Sequence, residues 1–260
     1  MEYYDQHMHT FFSPDSTEKF ENYLKQTDNY VVTTEHLDYY TNYPQSSDVI
    51  LYYASYSNHI DELNRSYNNR LLKGIEVGYT KTDRQAILDY LSDKSFDIIL
   101  LSIHQNGNHG FMTLNHDTKP IAEHLEQYFS IMLEGVKFAT FANVLAHFDF
   151  GLRGYDPVHV EDLIPFESVL KEIFTVMIEN NQAFELNTRS MYRYHDVHLY
   201  DYAIEVYQSV GGKLFTVSSD AHVAADYRLE FDAAFELLRK HEVKQLVVYQ
   251  KQQPIMVNLP

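Results

Sequence analysis

Two rhythms of apolar and polar positions alternate along this chain. Short runs of β-branched, aromatic and aliphatic residues fall at 2–4, 30–33, 71–77, 97–103, 143–146, 183–187, 214–217 and 245–249. Ile98, Ile99, Leu100 and Leu101, and again Leu246, Val247 and Val248, leave no polar face. That is the pattern of parallel strands covered on both sides. The segments between them carry helical spacing. Pro165 opens one in which Phe166, Val169, Leu170, Ile173, Phe174 and Met177 form a single stripe. A second stripe runs Ile121, Leu125, Tyr128, Phe129, Met132, Val136, and a third Phe231, Ala234, Phe235, Leu238. Weaker helical patterns cover 17–26, 53–67, 84–92 and 198–210, and the polar, glycine-bearing stretches 105–119 and 151–164 read as long loops. With no repeat or linker, the whole chain, 1–260, reads as one α/β domain of seven or eight strand–helix units, for which a closed barrel is the natural form.

Composition narrows the chemistry. Hydrophobic residues make up 45% of the 260, enough for a substantial core. The formal net charge of −17 argues against nucleic acid or an anionic membrane as partner, since either would be repelled. It leaves room for a small anionic substrate if cations are gathered locally. With no cysteine, any metal must be held by histidine and carboxylate. A cytoplasmic location fits that composition. No apolar run reaches the roughly 20 residues of a membrane helix, and the first residues do not have the pattern of a signal peptide. The 22 tyrosines are expected to serve packing and surface.

Candidate chemistry follows the strands. His7 and His9 come after the first, Glu35 and His36 after the second, and Glu76 near the end of the third. The fourth runs into His104, the fifth into His147, and the seventh into Asp220 and His222. In parallel α/β folds the carboxyl ends of the strands form the face that carries the site. One strand-end histidine is commonplace, but six of fourteen histidines on one rim are not. His7 with His9, and Asp220 with His222, are spaced two apart, so each pair can present two ligands on one side of an extended backbone. Nitrogen and oxygen donors without sulfur suit zinc, manganese or iron. With Asp15, the candidate ligands number nine, enough for two or three divalent ions at about four to six ligands each.

These residues, in this order, resemble the PHP (polymerase and histidinol phosphatase) family, and within it the histidinol-phosphate phosphatases. The resemblance runs along essentially the whole chain. It rests on DQHMHTFFSPD at the start, EH at 35–36, GIEVG at 74–78, SIHQ at 102–105, AHFD at 146–149, FELNTR at 184–189 and SSDAH at 218–222. It implies a distorted (β/α)7 barrel with a trinuclear site at the carboxyl ends of the strands. One ion would take His7, His9, Glu76 and Asp220. A second would share Glu76 and take His104 and His147. The third would take Asp15, His36 and His222, with Asp15 standing where many members have histidine.

The resemblance also implies metal-dependent hydrolysis of L-histidinol phosphate in histidine biosynthesis. Three divalent ions against three ligand carboxylates would leave a local positive surplus inside an acidic protein. Asp220 would handle the proton or serve purely as ligand. Arg153, Arg189 and Arg193 are candidates for gripping phosphate, because a guanidinium matches two phosphate oxygens at once. His195 is a candidate donor to the phosphate or leaving group. Tyr192, Tyr194, Asp196 and the acidic residues around Asp117 could line the pocket for the cationic end of the substrate. Three other readings stay open. The first is the same site acting on another small phosphomonoester, a phosphotyrosine or a nucleotide; the second is a non-catalytic PHP-like binding module. The third is a metal-dependent amidohydrolase, less suited because the fourth strand ends in His104 rather than in a bridging lysine.

Overall fold

In the computed structural model, which describes residues 2–40, 47–113, 120–155 and 157–260, polar side chains lie buried inside the strands themselves. Thr33, Thr34 and Glu35 are wholly shielded within β1 (Val31–Leu37), so this strand continues past the apolar run that announces it. Glu35 and His36 therefore belong to the strand rather than to the loop after it. Their polarity reflects a strand interior lined by the site.

Six strands pair in parallel in simple sequential order: β1, β2 (Leu71–Gly78), β3 (Ile98–Ser102), β4 (Val144–Leu145), β5 (Ala183–Asn187) and β6 (Phe215–Ser218). Around the sheet lie α1 (Phe20–Leu24), α2 (Tyr53–Asn64), α3 (Arg84–Leu91), α4 (Ile121–Phe138), α5 (Val160–Leu163), α6 (Glu167–Glu179), α7 (Thr188–Arg193), α8 (Val197–Ser209) and α9 (Phe231–Lys240). The stripes of α4, α6 and α9 are buried as their spacing predicts. Each fully buried leucine or phenylalanine contributes roughly 1.5–3 kcal/mol. Pro165 sits in a single 3-10 turn, Ile164–Phe166, that leads into α6. The expected loop at 151–164 instead carries α5. Among the described residues no helix is long and apolar enough to cross a membrane.

The edges of the curled sheet meet at a seam. The strand expected at 2–4 does not form. Instead the chain pairs a little later: Thr34 N–H of β1 donates to Met8 O, and His9 N–H donates to Ala221 O beyond β6, both at 2.8 Å. Residues 6–9 thus act as the seventh stave of a distorted (β/α) barrel. Tyr3 and Tyr4 contribute phenol groups rather than ladder bonds, donating to Val217 O and Tyr249 O. The last apolar run is not part of the parallel sheet. It forms β7 (Gln245–Gln250), antiparallel to an additional strand, β8 (Gln253–Asn258). The hairpin turn reaches Asp97 before β3, and Tyr249 donates to Asn143 O before β4. The hairpin therefore closes the amino-terminal end of the barrel and leaves the carboxyl ends open.

Candidate metal centre

At those carboxyl ends the structure brings together His7, His9, Asp15, His36, Glu76, His104, His147, Asp220 and His222. His7 Nε2 lies 3.4 Å from Glu76 Oε2 and 3.7 Å from Asp220 Oδ1, and His9 Nε2 lies 3.5 and 3.4 Å from the same two oxygens. Four tetrahedral ligands about 2.1 Å from an ion stand about 3.4 Å apart, so this spacing is that of a coordination shell. His7 Nε2 and His9 Nε2 are buried with no hydrogen-bond partner. Buried polar atoms are rarely left so, and a cation beside them would satisfy both.

The other residues form two further groups. Glu76 Oε1 is 3.1 Å from His104 Nε2 and 2.7 Å from His147 Nε2. Asp15 Oδ2 is 3.3 Å from His36 Nε2 and 3.0 Å from His222 Nε2. His36 also presents Nδ1 to Glu76 Oε2 at 2.9 Å. Asp15 is the most solvent-exposed of the nine, at 53% of its side chain.

Three ligand histidines are held from behind in one way. Glu185 accepts from His7 Nδ1 at 2.8 Å, and Asp38 accepts from His104 Nδ1 at 3.0 Å. Ser13 donates to Glu35 at 2.5 Å, which leaves its oxygen to accept from His9 Nδ1 at 3.2 Å. Each arrangement puts the ring proton on Nδ1 and turns the Nε2 lone pair inward, as a metal-ligating imidazole requires. Asp5 clasps the two ligand-bearing segments at the seam: its carboxylate accepts from Ser219 N and from His7 N. Asp220 itself adopts a left-handed backbone, with φ of 51°. Non-glycine residues adopt that conformation mainly where the surroundings impose it.

Electrostatics fit the same picture. Burial opposes ionisation of Glu76, but His7, His104 and His36 overcome it and hold the carboxyl well below its usual range. Asp220 is held well below likewise, by His7, His9, His222 and Arg189 against the effect of burial. Burial, reinforced by His222 and His36, pushes His9 well below its usual value and so keeps it a neutral donor. His104 is pushed up to about 9: burial works against its charge, and Asp38 and Glu76 prevail.

A cavity of about 430 Å³ opens over this cluster. Arg153, Arg189, Tyr194 and Phe150 line it alongside the ligands. Arg153 lies between Phe150 and Tyr194, 4.9 Å from each ring, and donates to Ser190 Oγ; its Nη2 is 3.7 Å from Asp220 Oδ2. Arg189 Nη1 is 3.6 Å from Asp220 Oδ1 and 2.7 Å from His222 Nδ1. Arg193 is placed elsewhere, paired with Asp226 at 2.6 Å on an exposed surface. His195 is exposed in a left-handed turn and does not line the cavity. Of the proposed lining groups only Tyr194 does so; Tyr192 and Asp196 do not, and Asp117 lies outside the described residues.

Asp5, Asp38 and Glu185 are missing from the candidates read off the sequence, and Glu35, named there at its strand end, is given no role. Glu185 had a signal: an acid in the apolar strand Ala183–Asn187, all of it buried. Asp38, two residues after His36, shares its side of an extended chain.

A profile of the PHP domain matches residues 5–189. The chain belongs to the PHP domain family. Among the relatives, a "Probable histidinol-phosphatase" of Clostridium acetobutylicum is 25% identical over 247 residues, covering 93% of this chain and 94% of its own. A histidinol-phosphatase of Lactococcus lactis is 25% identical over 256 residues, covering 94% and 93%. The crystal structure of histidinol phosphate phosphatase from Lactococcus lactis, complexed with zinc, L-histidinol and phosphate, superposes with a TM-score of 0.85 at 22% identity. It covers 96% of this chain and 98% of its own. That likeness establishes the shared PHP barrel.

Proposed function

We propose that this chain is a metal-dependent phosphatase that hydrolyses L-histidinol phosphate to L-histidinol and phosphate in histidine biosynthesis, with residues 1–260 as one domain. The observation that carries the reading is the convergence of buried, unpartnered His7 Nε2 and His9 Nε2 on Glu76 Oε2 and Asp220 Oδ1, beside two arginines in one cavity. The names of the relatives supply the substrate.

The donor set suits divalent zinc, manganese or iron, in two or three positions. His7, His9, Glu76 and Asp220 would hold the first, Glu76, His104 and His147 the second, and Asp15, His36 and His222 the third. Such ions supply Lewis-acid stabilisation of phosphoryl charge and bring the pKa of water toward about 7. The residues do the rest. Asp220, held ionised, takes the proton of the water that attacks phosphorus and returns it to the histidinol oxygen as the P–O bond breaks. Arg153, fixed between two rings, and Arg189, opposite it across Asp220, bind and orient the phosphate. The buried carboxylates of Asp38 and Glu185 add negative charge behind the ligands, and Arg153 and Arg189 add positive charge at the cavity wall. Phe150 and Tyr194 hold Arg153 between their rings and exclude water from the cavity wall.

The test combines elemental analysis of the purified protein with phosphate release from L-histidinol phosphate and from an aryl phosphate. Stoichiometric metal, loss of turnover on chelation, recovery with zinc and a clear kcat/KM preference for histidinol phosphate are expected. Equal kcat/KM for both substrates would overturn the substrate assignment.

A further inference from the structure

Glu185 lies on β5 with its side chain wholly shielded from solvent, and its two oxygens face different halves of the ligand set. Oε1 accepts from His7 Nδ1 at 2.8 Å. Oε2 accepts from His147 N–H at 2.8 Å and from Asn187 Nδ2 at 3.1 Å. Among the described residues its one ion-pair partner is His7, with no lysine or arginine in reach. A buried carboxylate is costly to keep unless its oxygens are satisfied, and here His7 and His147, both of the ligand set, satisfy one oxygen each, with Asn187 a second donor to Oε2.

His7 belongs to the first ligand group and His147 to the second, and Glu76 is the residue the groups share. We propose that Glu185 is a positioning residue that couples the two ion positions, fixing the tautomer of His7 with one oxygen and the backbone of His147 with the other. This rests on the metal-centre reading above. With its proton on Nδ1, His7 directs the Nε2 lone pair toward Glu76 Oε2 and Asp220 Oδ1. His147 has a backbone φ of 20°, at the margin of what an L-residue adopts. The hydrogen bond from its N–H to Glu185 secures that turn, from which its Nε2 reaches Glu76. One carboxylate therefore sets the geometry of a ligand to each position.

Glutamine at this position separates the two roles, because an amide has only one accepting end. Two donors converge on Oε2 and one on Oε1, so the amide oxygen takes the Oε2 place. The amide NH2 then faces His7 Nδ1, which has to accept. The His7 proton moves to Nε2, and the lone pair directed at the first position is lost. The His147 side is unchanged. Aspartate keeps the charge but is one methylene shorter and cannot span both partners.

The experiment is a zinc titration of metal-free wild type, Glu185→Gln and Glu185→Asp against a chromophoric chelator, with the His7 tautomer read from imidazole 15N NMR. In Glu185→Gln one binding step weakens by about 10–100-fold and the other is preserved, with His7 protonated on Nε2. In Glu185→Asp both steps weaken. A merely structural role would lower the melting temperature and leave the zinc affinities of the folded protein where they were. Wild-type affinities at every step in either folded variant overturn the role of Glu185 and leave the metal centre standing. A wild-type protein that takes up no zinc overturns both.

Discussion

The carboxylate of Asp38 occupies the space in which residue 78 would carry a side chain: a Cβ on Gly78 would stand 1.7 Å from Asp38 Oδ1 and 3.3 Å from His104 Nδ1. Glycine is thus required in GIEVG by the partner of a candidate ligand. Gly78→Ala is expected to push Asp38 off His104, lower bound metal and reduce kcat/KM by about 10–100-fold. Overpacking should cost a further 1–3 kcal/mol or so of stability. Elemental analysis and steady-state kinetics of the folded variant check this; full metal content with normal turnover would refute it.

The arginines divide by their surroundings. Arg153→Ala is expected to lower kcat/KM by about 10–100-fold, the scale of a lost charge-assisted contact of roughly 1.5–3 kcal/mol. Arg193→Ala, which removes only a surface pair with Asp226, should leave kcat/KM within about twofold. Similar losses in the two variants would show that Arg153 does not contact phosphate.

Asp220→Asn keeps the size and one oxygen of the side chain but cannot accept the proton. If Asp220 moves that proton, turnover falls by about 10²–10⁴-fold in protein that still carries its full metal complement. Near-normal turnover with full metal would reduce Asp220 to a ligand.

Asp5 offers a pH signature. Burial pushes its carboxyl from 3.8 up to about 6, against the hydrogen bonds from Ser219 and His7. Between about pH 4 and 6 the folded protein keeps a proton that the unfolded chain has released. This group therefore withdraws stability as pH rises through that window, by roughly 3 kcal/mol for a shift of this size. Denaturant unfolding of metal-free wild type and Asp5→Asn should show the stability of wild type, relative to the variant, declining from pH 4 to 6 and then levelling. Parallel curves would refute it.

Much of this was legible in the sequence. Apolar runs marked the strands, and the nine candidate ligands sit at one end of the barrel because strand-end polarity is a local feature. What lies behind the ligands was less visible. Glu35 and Glu185 owe their roles to partners on other strands, and pairings over that distance leave no periodic trace. The seam was misplaced for a similar reason: Tyr3 and Tyr4 look like a strand but work through their phenols, and the pairing falls on Met8 and His9. Arg193 and His195 share a segment with Arg189 and Tyr194, but Arg193, at the end of α7, pairs with Asp226, and His195, beyond the helix, sits exposed on a left-handed backbone. The hairpin of β7 and β8 reads as one more strand until its turn is seen hydrogen-bonded to Asp97.

The seam also governs when the centre can come into being. His9 N–H waits on Ala221 O, and Gln6 Nε2 donates to Val247 O across 241 positions of sequence. During synthesis His7 and His9 are made early and stay unclosed until Asp220 and then β7 have left the ribosome. Closures over such spans are slow steps in folding. The four-residue group of His7, His9, Glu76 and Asp220 thus comes together late, only after nearly the whole barrel has been made.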